Sequence, residues 1–301
     1  MTKKNLVPEP EEGLNFIDVH CHLPFTRPKK NDKLPSDEEQ YYNYFNDGGV
    51  FLITSSIDMH TLKMILNFVK DKKNIGFSCG WAPQTVTYTP KNKYDQEWKE
   101  WITFINENPD RYLAIGEIGL DFHHARVLSK RNKQIEVFKK IFEKTEDLKK
   151  PYILHVRNAA EHEYDRDNPK HRFNKIDGAN QEILNTLKEF NVEPKRVMWH
   201  CFSGPELYGM SLSKQGFLLS VPSSAYGNKR WRRVSTNASL DSLVTETDSY
   251  YQHPYLRGPV NVPSNAKYAV AAIAFSHNVT QTLVSEKTIE NAIKFFNLNL
   301  I

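Results

Sequence analysis

Short apolar runs alternate with amphipathic segments along most of the chain. The runs have the length of buried strands, whereas the segments between them repeat apolar residues at helical spacing, as Leu62, Ile65 and Val69 do. We predict eight strands, at residues 16–19, 50–57, 75–81, 112–118, 151–155, 196–200, 217–221 and 240–245. Strands that alternate with helices favour a parallel sheet with helices packed against it.

Helix signals between the runs support this pattern. Ser36-Asp37-Glu38-Glu39 is predicted to cap the first helix, and further helices are predicted from about residues 58, 98, 129, 184, 263 and 285. The first strand is not followed by a Gly-rich phosphate loop, which favours a closed barrel over an open doubly wound sheet. We therefore predict an α/β protein: a single (β/α)8 TIM barrel with C-terminal helices over residues 14–301, after a flexible N-terminal tail of residues 1–13.

Composition narrows the class of protein without selecting a function. Of the 301 residues, 39% are hydrophobic and 25% charged, as in an ordinary soluble protein. The chain has no apolar run near the length of a membrane helix and no apolar core of a secretory signal, so we expect no membrane association and a cytoplasmic location. The three cysteines, Cys21, Cys79 and Cys201, are too few for a disulfide framework. A net charge of +4 is compatible with a polyanionic substrate.

Residues that bind metals stand at or just after the ends of five predicted strands. They are four histidines and two carboxylates: His20, His22, Glu117, His155, His200 and Asp248. Taken singly, each has an ordinary alternative, such as a hydrogen-bonded histidine or a carboxylate paired with an arginine. In a barrel, however, the carboxyl ends of the strands converge on one face. Together the six residues suit two divalent ions about 3.5–4 Å apart, with a shared carboxylate.

The segments around these residues resemble a known family. They are residues 20–22, 116–122, 154–157, 200–204 and 245–249, followed by 255–258 and 288–292. In order and spacing they resemble the signature blocks of the TatD family of metal-dependent deoxyribonucleases. The resemblance implies a TIM barrel of the amidohydrolase type that hydrolyses phosphodiester bonds with divalent metal ions.

The resemblance also implies a role for each residue. One ion is held by His20, His22 and Asp248, and the other by His155 and His200. Glu117 bridges the two ions. Asp248 is then both a ligand and the base that takes the proton when a metal-bound hydroxide forms. The ions are expected to be Mg²⁺, Mn²⁺ or Zn²⁺, since histidine and carboxylate ligands do not select among them.

Three further residues are candidates for substrate binding. Arg157 and Arg257 can each bind a phosphate through two hydrogen bonds, or form a salt bridge at the rim of the barrel. Ser203 can donate a hydrogen bond to the same phosphate, or cap the helix that follows. His162 and His171 lie in a hydrophilic segment, residues 158–178, and are taken as solvated.

The chain departs from the family pattern near the site. Asn158, Tyr250 and Pro24 stand where the family commonly has Asp, Pro and Asp, and the 158–178 segment is expanded. These departures remove no metal ligand, but they leave the choice of substrate open.

Three functions remain open on the sequence alone. A deoxyribonuclease or phosphodiesterase acting on DNA ends or single strands is favoured, with Trp81, Phe122, Tyr226 and Tyr250 as candidate base-stacking residues. An ester or amide hydrolase, such as a D-aminoacyl-tRNA deacylase, is an alternative, because related barrels use the same metals. A catalytically idle binding protein on the same fold is the third. The oligomeric state is not indicated.

Overall fold

Eight parallel strands follow one another through a single sheet in the order β1 to β8 in the computed structural model. The structure describes residues 7–25, 34–159, 178–255 and 260–300. The strands are β1 (Phe16–Cys21), β2 (Gly49–Ser55), β3 (Ile75–Cys79), β4 (Ala114–Asp121), β5 (Tyr152–Arg157), β6 (Val197–His200), β7 (Leu218–Pro222) and β8 (Leu243–Glu246). Every residue of β1 and β4 is buried, as expected of strands that are covered on both faces.

Helices occupy the connections and the C-terminus. They are α1 (Asp37–Asn46), α2 (Met59–Val69), α3 (Pro83–Tyr88), α4 (Lys91–Glu107), α5 (Leu128–Thr145), α6 (Ala179–Glu189), α7 (Glu206–Lys214), α8 (Lys229–Thr236), α9 (Ala266–His277) and α10 (Gln281–Phe296). Ser36 and Glu39 form a reciprocal capping box at the start of α1, as the sequence predicts. None of the helices in the described ranges is both long and apolar enough to cross a membrane.

The chain divides into two compact units. The first comprises residues 1–54, 68–76 and 201–301. Within it, β1 pairs with β2 and β7 pairs with β8, all in parallel. The hydroxyl of Thr245 on β8 donates to the carbonyl of Ile17 on β1 at 2.5 Å, so the last strand lies against the first.

The second unit comprises residues 55–67 and 77–200. Within it, β4 pairs with β3 on one side and with β5 on the other, and β5 pairs with β6. The register places His155 opposite His200 and Gly119 opposite His155. Near their carboxyl ends, the three strands β4, β5 and β6 therefore place Gly119, His155 and His200 next to one another.

The predicted fold class is confirmed: the chain is an α/β protein with eight parallel strands in the order of a (β/α)8 barrel and two helices after the last strand. Several predicted bounds are wrong by a few residues. Strand β4 extends to Asp121, three residues beyond the prediction, and β8 begins at Leu243 after a short 3-10 turn. The division into a tail of residues 1–13 and a domain of residues 14–301 stays a prediction.

Part of the predicted tail is hydrogen-bonded to the last helix. The backbone N–H of Glu11 donates to Oε1 of Gln281 at 3.1 Å, and Nε2 of Gln281 donates to the carbonyl of Glu9 at 2.9 Å. Hydrogen bonds with α10 therefore begin before residue 14.

Tyr44 of α1 joins the first two strands through its buried hydroxyl. The hydroxyl donates to the carbonyl of Phe51 at 2.6 Å and accepts from the backbone N–H of Asp18 at 2.8 Å. We expect Tyr44→Phe to lower the free energy of unfolding by about 1–3 kcal/mol, because two buried backbone groups lose their partner. Urea denaturation measures the change. Tyr42→Phe, at a side chain that is 61% exposed, is the matched control and should have no measurable effect; equal stability of the two variants would contradict the assignment.

Candidate metal centre

The first unit brings together His20, His22 and Asp248. Nε2 of His22 lies 3.4 Å from Oδ1 of Asp248, and Nε2 of His20 lies 3.9 Å from the same oxygen. The two imidazole rings are perpendicular, with centroids 5.0 Å apart. One ligand atom from each residue lies within 4.8 Å of the other two, close enough for the three to hold a single metal ion. We call these residues the first ligand cluster.

Backbone hydrogen bonds fix the first ligand cluster. The N–H of Asp248 donates to the carbonyl of His20 at 2.9 Å, and the N–H of His22 donates to the carbonyl of Ser249 at 2.9 Å. Asp248 lies two residues beyond the end of β8 and has a φ of 50°, in the left-handed region that aspartate tolerates better than most residues. The turn after β8 therefore places this carboxylate beside His20 of β1 and His22, which follows the strand.

Asp18 is a buried carboxylate that braces this turn, and the sequence prediction missed it. It accepts from the backbone N–H of Thr247 at 3.0 Å and from the hydroxyl of Thr247 at 2.5 Å, and also from the N–H of His20 at 3.1 Å. Burial raises the pKa of Asp18 well above its usual value, against the lowering effect of the hydrogen bonds from Thr247. Its position two residues before His20, on the same face of the strand, was the available signal.

The second unit brings together Glu117 of β4, His155 of β5 and His200 at the carboxyl end of β6. The prediction that Glu117 stands at the end of its strand is wrong, because β4 continues to Asp121. Nδ1 of His155 lies 2.6 Å from Oε1 of Glu117. The rings of His155 and His200 have centroids 5.9 Å apart. Glu117 and His200 are buried, so this cluster, too, pairs imidazole with a carboxylate away from bulk water. We call these residues the second ligand cluster.

Asp121 holds the other ring nitrogen of His155. This fully buried carboxylate lies 3.1 Å from Nε2 of His155 and 2.7 Å from Nδ1 of His124, and it accepts from Nε2 of Gln84 at 2.9 Å. A carboxylate on the second nitrogen of a ligand histidine fixes the ring so that the first nitrogen faces the metal. Asp121 lies in the segment 116–122, but the sequence alone assigns it no role.

The charges in the second ligand cluster shift the pKa values in opposite directions. Burial alone would lower the pKa of His155, but the adjacent Glu117 and Asp121 outweigh it and raise that pKa to about 10. For Asp121, burial acts to raise the pKa, yet hydrogen bonds and charge from His155 and His124 bring it well below its usual range. Two carboxylates, Glu117 and Asp121, therefore flank the ring of His155 and favour its protonated form.

We expect Asp121→Asn to weaken divalent-metal binding by about 10- to 100-fold while the protein stays folded, because His155 loses the anion that orients it. Isothermal titration with Mn²⁺ measures the affinity, and circular dichroism checks the fold. His124→Ala removes a partner of Asp121 without touching His155, so it should have a smaller effect. Unchanged Mn²⁺ affinity in a folded Asp121→Asn protein would contradict this role.

Of the three residues predicted to bind the substrate, the structure describes Arg157 and Ser203. Arg157 ends β5 with an exposed side chain, and Ser203 is partly buried in the loop after β6. The capping alternative for Ser203 is wrong, since α7 has Pro205 as its N-cap and no side-chain cap. Arg257, His162 and His171 lie outside the described residues.

The four candidate base-stacking residues differ in solvent exposure. Trp81 and Phe122 are buried, with 1% and 2% of their surface exposed, so they belong to the core and are unsuited to stacking on a base. Tyr226 and Tyr250 are partly exposed. Sequence alone does not separate a rim aromatic from a core aromatic at the end of a strand.

The donor atoms of the first ligand cluster fit a divalent metal ion, and the second ligand cluster offers donor atoms of the same types. Imidazole nitrogens and carboxylate oxygens are the ligands of Zn²⁺, Mn²⁺ and Fe²⁺ sites, and in the first ligand cluster they already lie within 4.8 Å of one another. The chain thus has the fold and the donor groups of a metal-dependent hydrolase built on parallel strands. Residues 17–297 match the family model for TatD related DNase, and the chain belongs to this family.

Similar proteins have been described under related names. A metal-dependent hydrolase of Methanocaldococcus jannaschii is 26% identical over 288 residues, covering 95% of this chain and 99% of the relative. The human protein named deoxyribonuclease TATDN3 is 26% identical over 289 residues, covering 94% and 95%. The crystal structure of the TatD homologue YjjV from Escherichia coli matches with a TM-score of 0.76 at 19% identity, covering 95% of this chain and 100% of that one. The structural match to YjjV confirms the fold.

Proposed function

We propose that this protein is a divalent-metal-dependent deoxyribonuclease that uses two ions. His20, His22 and Asp248 hold one ion, His155 and His200 hold the other, and Glu117 is shared between them. The observation that carries the proposal is the first ligand cluster, in which two imidazoles and a carboxylate lie within 4.8 Å of one another. The convergence of strand ends in this fold supports placing the second ligand cluster at the same mouth. Relatives named deoxyribonuclease support DNA as the substrate.

The chemistry follows from the groups that each cluster offers. When bound, two divalent ions lower the pKa of water and offset the negative charge that develops on phosphate oxygens. Asp248 is placed to accept the proton of the attacking water, because its carboxylate lies beside both histidines and keeps 14% of its side chain exposed. Arg157 has an exposed guanidinium at the end of the strand that carries His155, where it can bind a phosphate in a bidentate fashion.

A substrate assay separates this function from the deacylase alternative. Purified protein is incubated with end-labelled single-stranded DNA and, separately, with tRNA carrying a D-amino acid, each with Mg²⁺, Mn²⁺ or Zn²⁺ and with EDTA. We expect metal-dependent shortening of the DNA and no metal-dependent release of the amino acid. Release of the amino acid with intact DNA would overturn the proposal. Absence of turnover on both substrates would favour an idle binding protein. A cytoplasmic location stays a prediction.

A further inference from the structure

Helix α8, which follows the loop after β7, carries several basic side chains close together. Four of its eight residues are basic and none is acidic. Lys229, Arg230 and Arg233 are exposed, whereas Arg232 turns inward and donates to the carbonyls of Ala225 and Tyr226. Among the described residues, the three exposed side chains form no ion pair within 4.0 Å. A cluster of exposed cations of this kind attracts a polyanion.

The loop after β8 places exposed tyrosines beside Asp248. Tyr251 is 56% exposed and Tyr255 is 45% exposed. Tyr250 packs against Tyr251 with ring centroids 4.4 Å apart, and the ring of Phe25 supports Tyr250 from another side at 5.2 Å. These contacts hold Tyr251 at the surface as part of an aromatic patch, and exposed patches of this kind mark binding surfaces.

Tyr251 is also tied by its backbone to a proposed metal ligand. Its N–H donates to the carbonyl of Asp248 at 2.8 Å, and the carbonyl of the preceding Tyr250 accepts from the N–H of Asn261 at 3.1 Å. The backbone of Tyr251 is therefore held directly after Asp248 of the first ligand cluster.

The basic helix and the tyrosine loop are joined. The hydroxyl of Ser223 donates to the carbonyl of Gln252, and the hydroxyl of Ser224 donates to Oε1 of Gln252, each at 2.7 Å. Tyr226, just before α8, contacts Tyr255 with ring centroids 5.6 Å apart. Both segments follow the carboxyl ends of neighbouring strands, the end at which Asp248 lies. Cations and aromatic rings therefore follow these two strands at the same end, and the hydroxyls of Tyr226 and Tyr255 donate to the carboxylate of Glu9 at 2.7 and 3.2 Å.

We propose that this surface binds a single strand of DNA outside the metal centre, with bases stacked on Tyr251 and Tyr255 and phosphates on Lys229, Arg230 and Arg233. We call these five residues the strand-binding surface. The proposal rests on the deoxyribonuclease function proposed above and adds the residues that hold the substrate away from the reacting bond. Aromatic rings interspersed with cations bind single strands, because unpaired bases expose faces that a duplex hides.

The test measures binding and cleavage separately. Anisotropy of a fluorescent 12-nucleotide strand in EDTA gives the affinity without turnover, over a series of salt concentrations. For Tyr251→Ala and for Tyr255→Ala we expect at least about a fivefold loss of single-strand affinity and little change for a duplex of the same length. For the double variant Arg230→Ala/Arg233→Ala, the slope of log affinity against log salt should fall by about 1.4, since each neutralised phosphate of a single strand contributes roughly 0.7.

Matched controls remove the same groups elsewhere. Tyr42→Ala deletes a tyrosine that is 61% exposed on α1, and Lys99→Ala/Lys144→Ala deletes two exposed lysines on α4 and α5. Neither should change single-strand affinity. The inference is overturned if the tyrosine variants bind like the wild type, if the controls lose as much as the variants, or if the wild-type protein does not bind the strand in EDTA. If any of these results is obtained with a protein that still cleaves DNA, only the strand-binding surface is contradicted and the nuclease function is not. If the protein binds the strand but shows no metal-dependent cleavage, the nuclease function is contradicted and the strand-binding surface is not.

Discussion

Asp248→Asn is expected to lower the rate of metal-dependent DNA hydrolysis by about 10³-fold or more. The substitution keeps the size of the side chain but removes the carboxylate that we propose to be both a metal ligand and the base, and a general base alone contributes about 10²- to 10⁴-fold. Oδ1 of Asp248 lies 3.4 Å from Nε2 of His22, so the loss acts on the first ligand cluster directly. Initial rates on labelled single-stranded DNA at saturating Mn²⁺ measure the effect.

The matched control for this variant is Asp110→Asn, at an exposed carboxylate in the turn before β4. It should cleave DNA at the wild-type rate. If Asp248→Asn cleaves as fast as this control, then Asp248 is neither ligand nor base and the proposed mechanism is wrong. Circular dichroism of both variants distinguishes a lost group from a lost fold.

Glu117→Gln is expected to reduce the number of tightly bound ions from two per chain and to slow hydrolysis by about 10³-fold. The carboxylate is buried and lies 2.6 Å from Nδ1 of His155, so an amide in its place removes the negative charge that we propose the two ions share. A loss of roughly 4 kcal/mol of charge stabilisation corresponds to that change in rate. Elemental analysis after exhaustive dialysis against Mn²⁺ and then buffer gives the stoichiometry.

Glu107→Gln, at the exposed last residue of α4, is the matched control for Glu117→Gln. It should keep two ions and full activity. Two ions per chain in a folded Glu117→Gln protein would contradict the bridging role, even if activity were lost, because the glutamate would then act on the substrate instead.

The order of the strands could be predicted from the sequence because buried parallel strands have a simple signature. Runs such as 50–57 and 151–155 are apolar and short, and the helices between most of them carry an apolar face. Helices α3 and α8 were missed for identifiable reasons. Helix α3 is only six residues long and begins at Pro83, and α8 resembles a charged loop because half of its positions are occupied by lysine and arginine.

The candidate ligands could be proposed from the sequence because most of them stand near the end of an apolar run, where a barrel places its functional groups. Their supporting residues could not be predicted in the same way. Asp121 acquires its role only when β5 pairs beside β4 and brings His155 within 3.1 Å. Asp18 acquires its role only when β8 lies against β1, since Thr247 is 229 residues away in sequence. Such contacts depend on register between strands, which no local pattern encodes.

The most direct test of the two-ion centre is anomalous diffraction from a crystal of this protein soaked in Mn²⁺. We expect two anomalous peaks about 3.5–4 Å apart. One should be coordinated by His20, His22 and Asp248 and the other by His155 and His200, with Glu117 touching both. A single peak, or two peaks too far apart for Glu117 to reach both, would contradict the claim that the two ligand clusters act as one site.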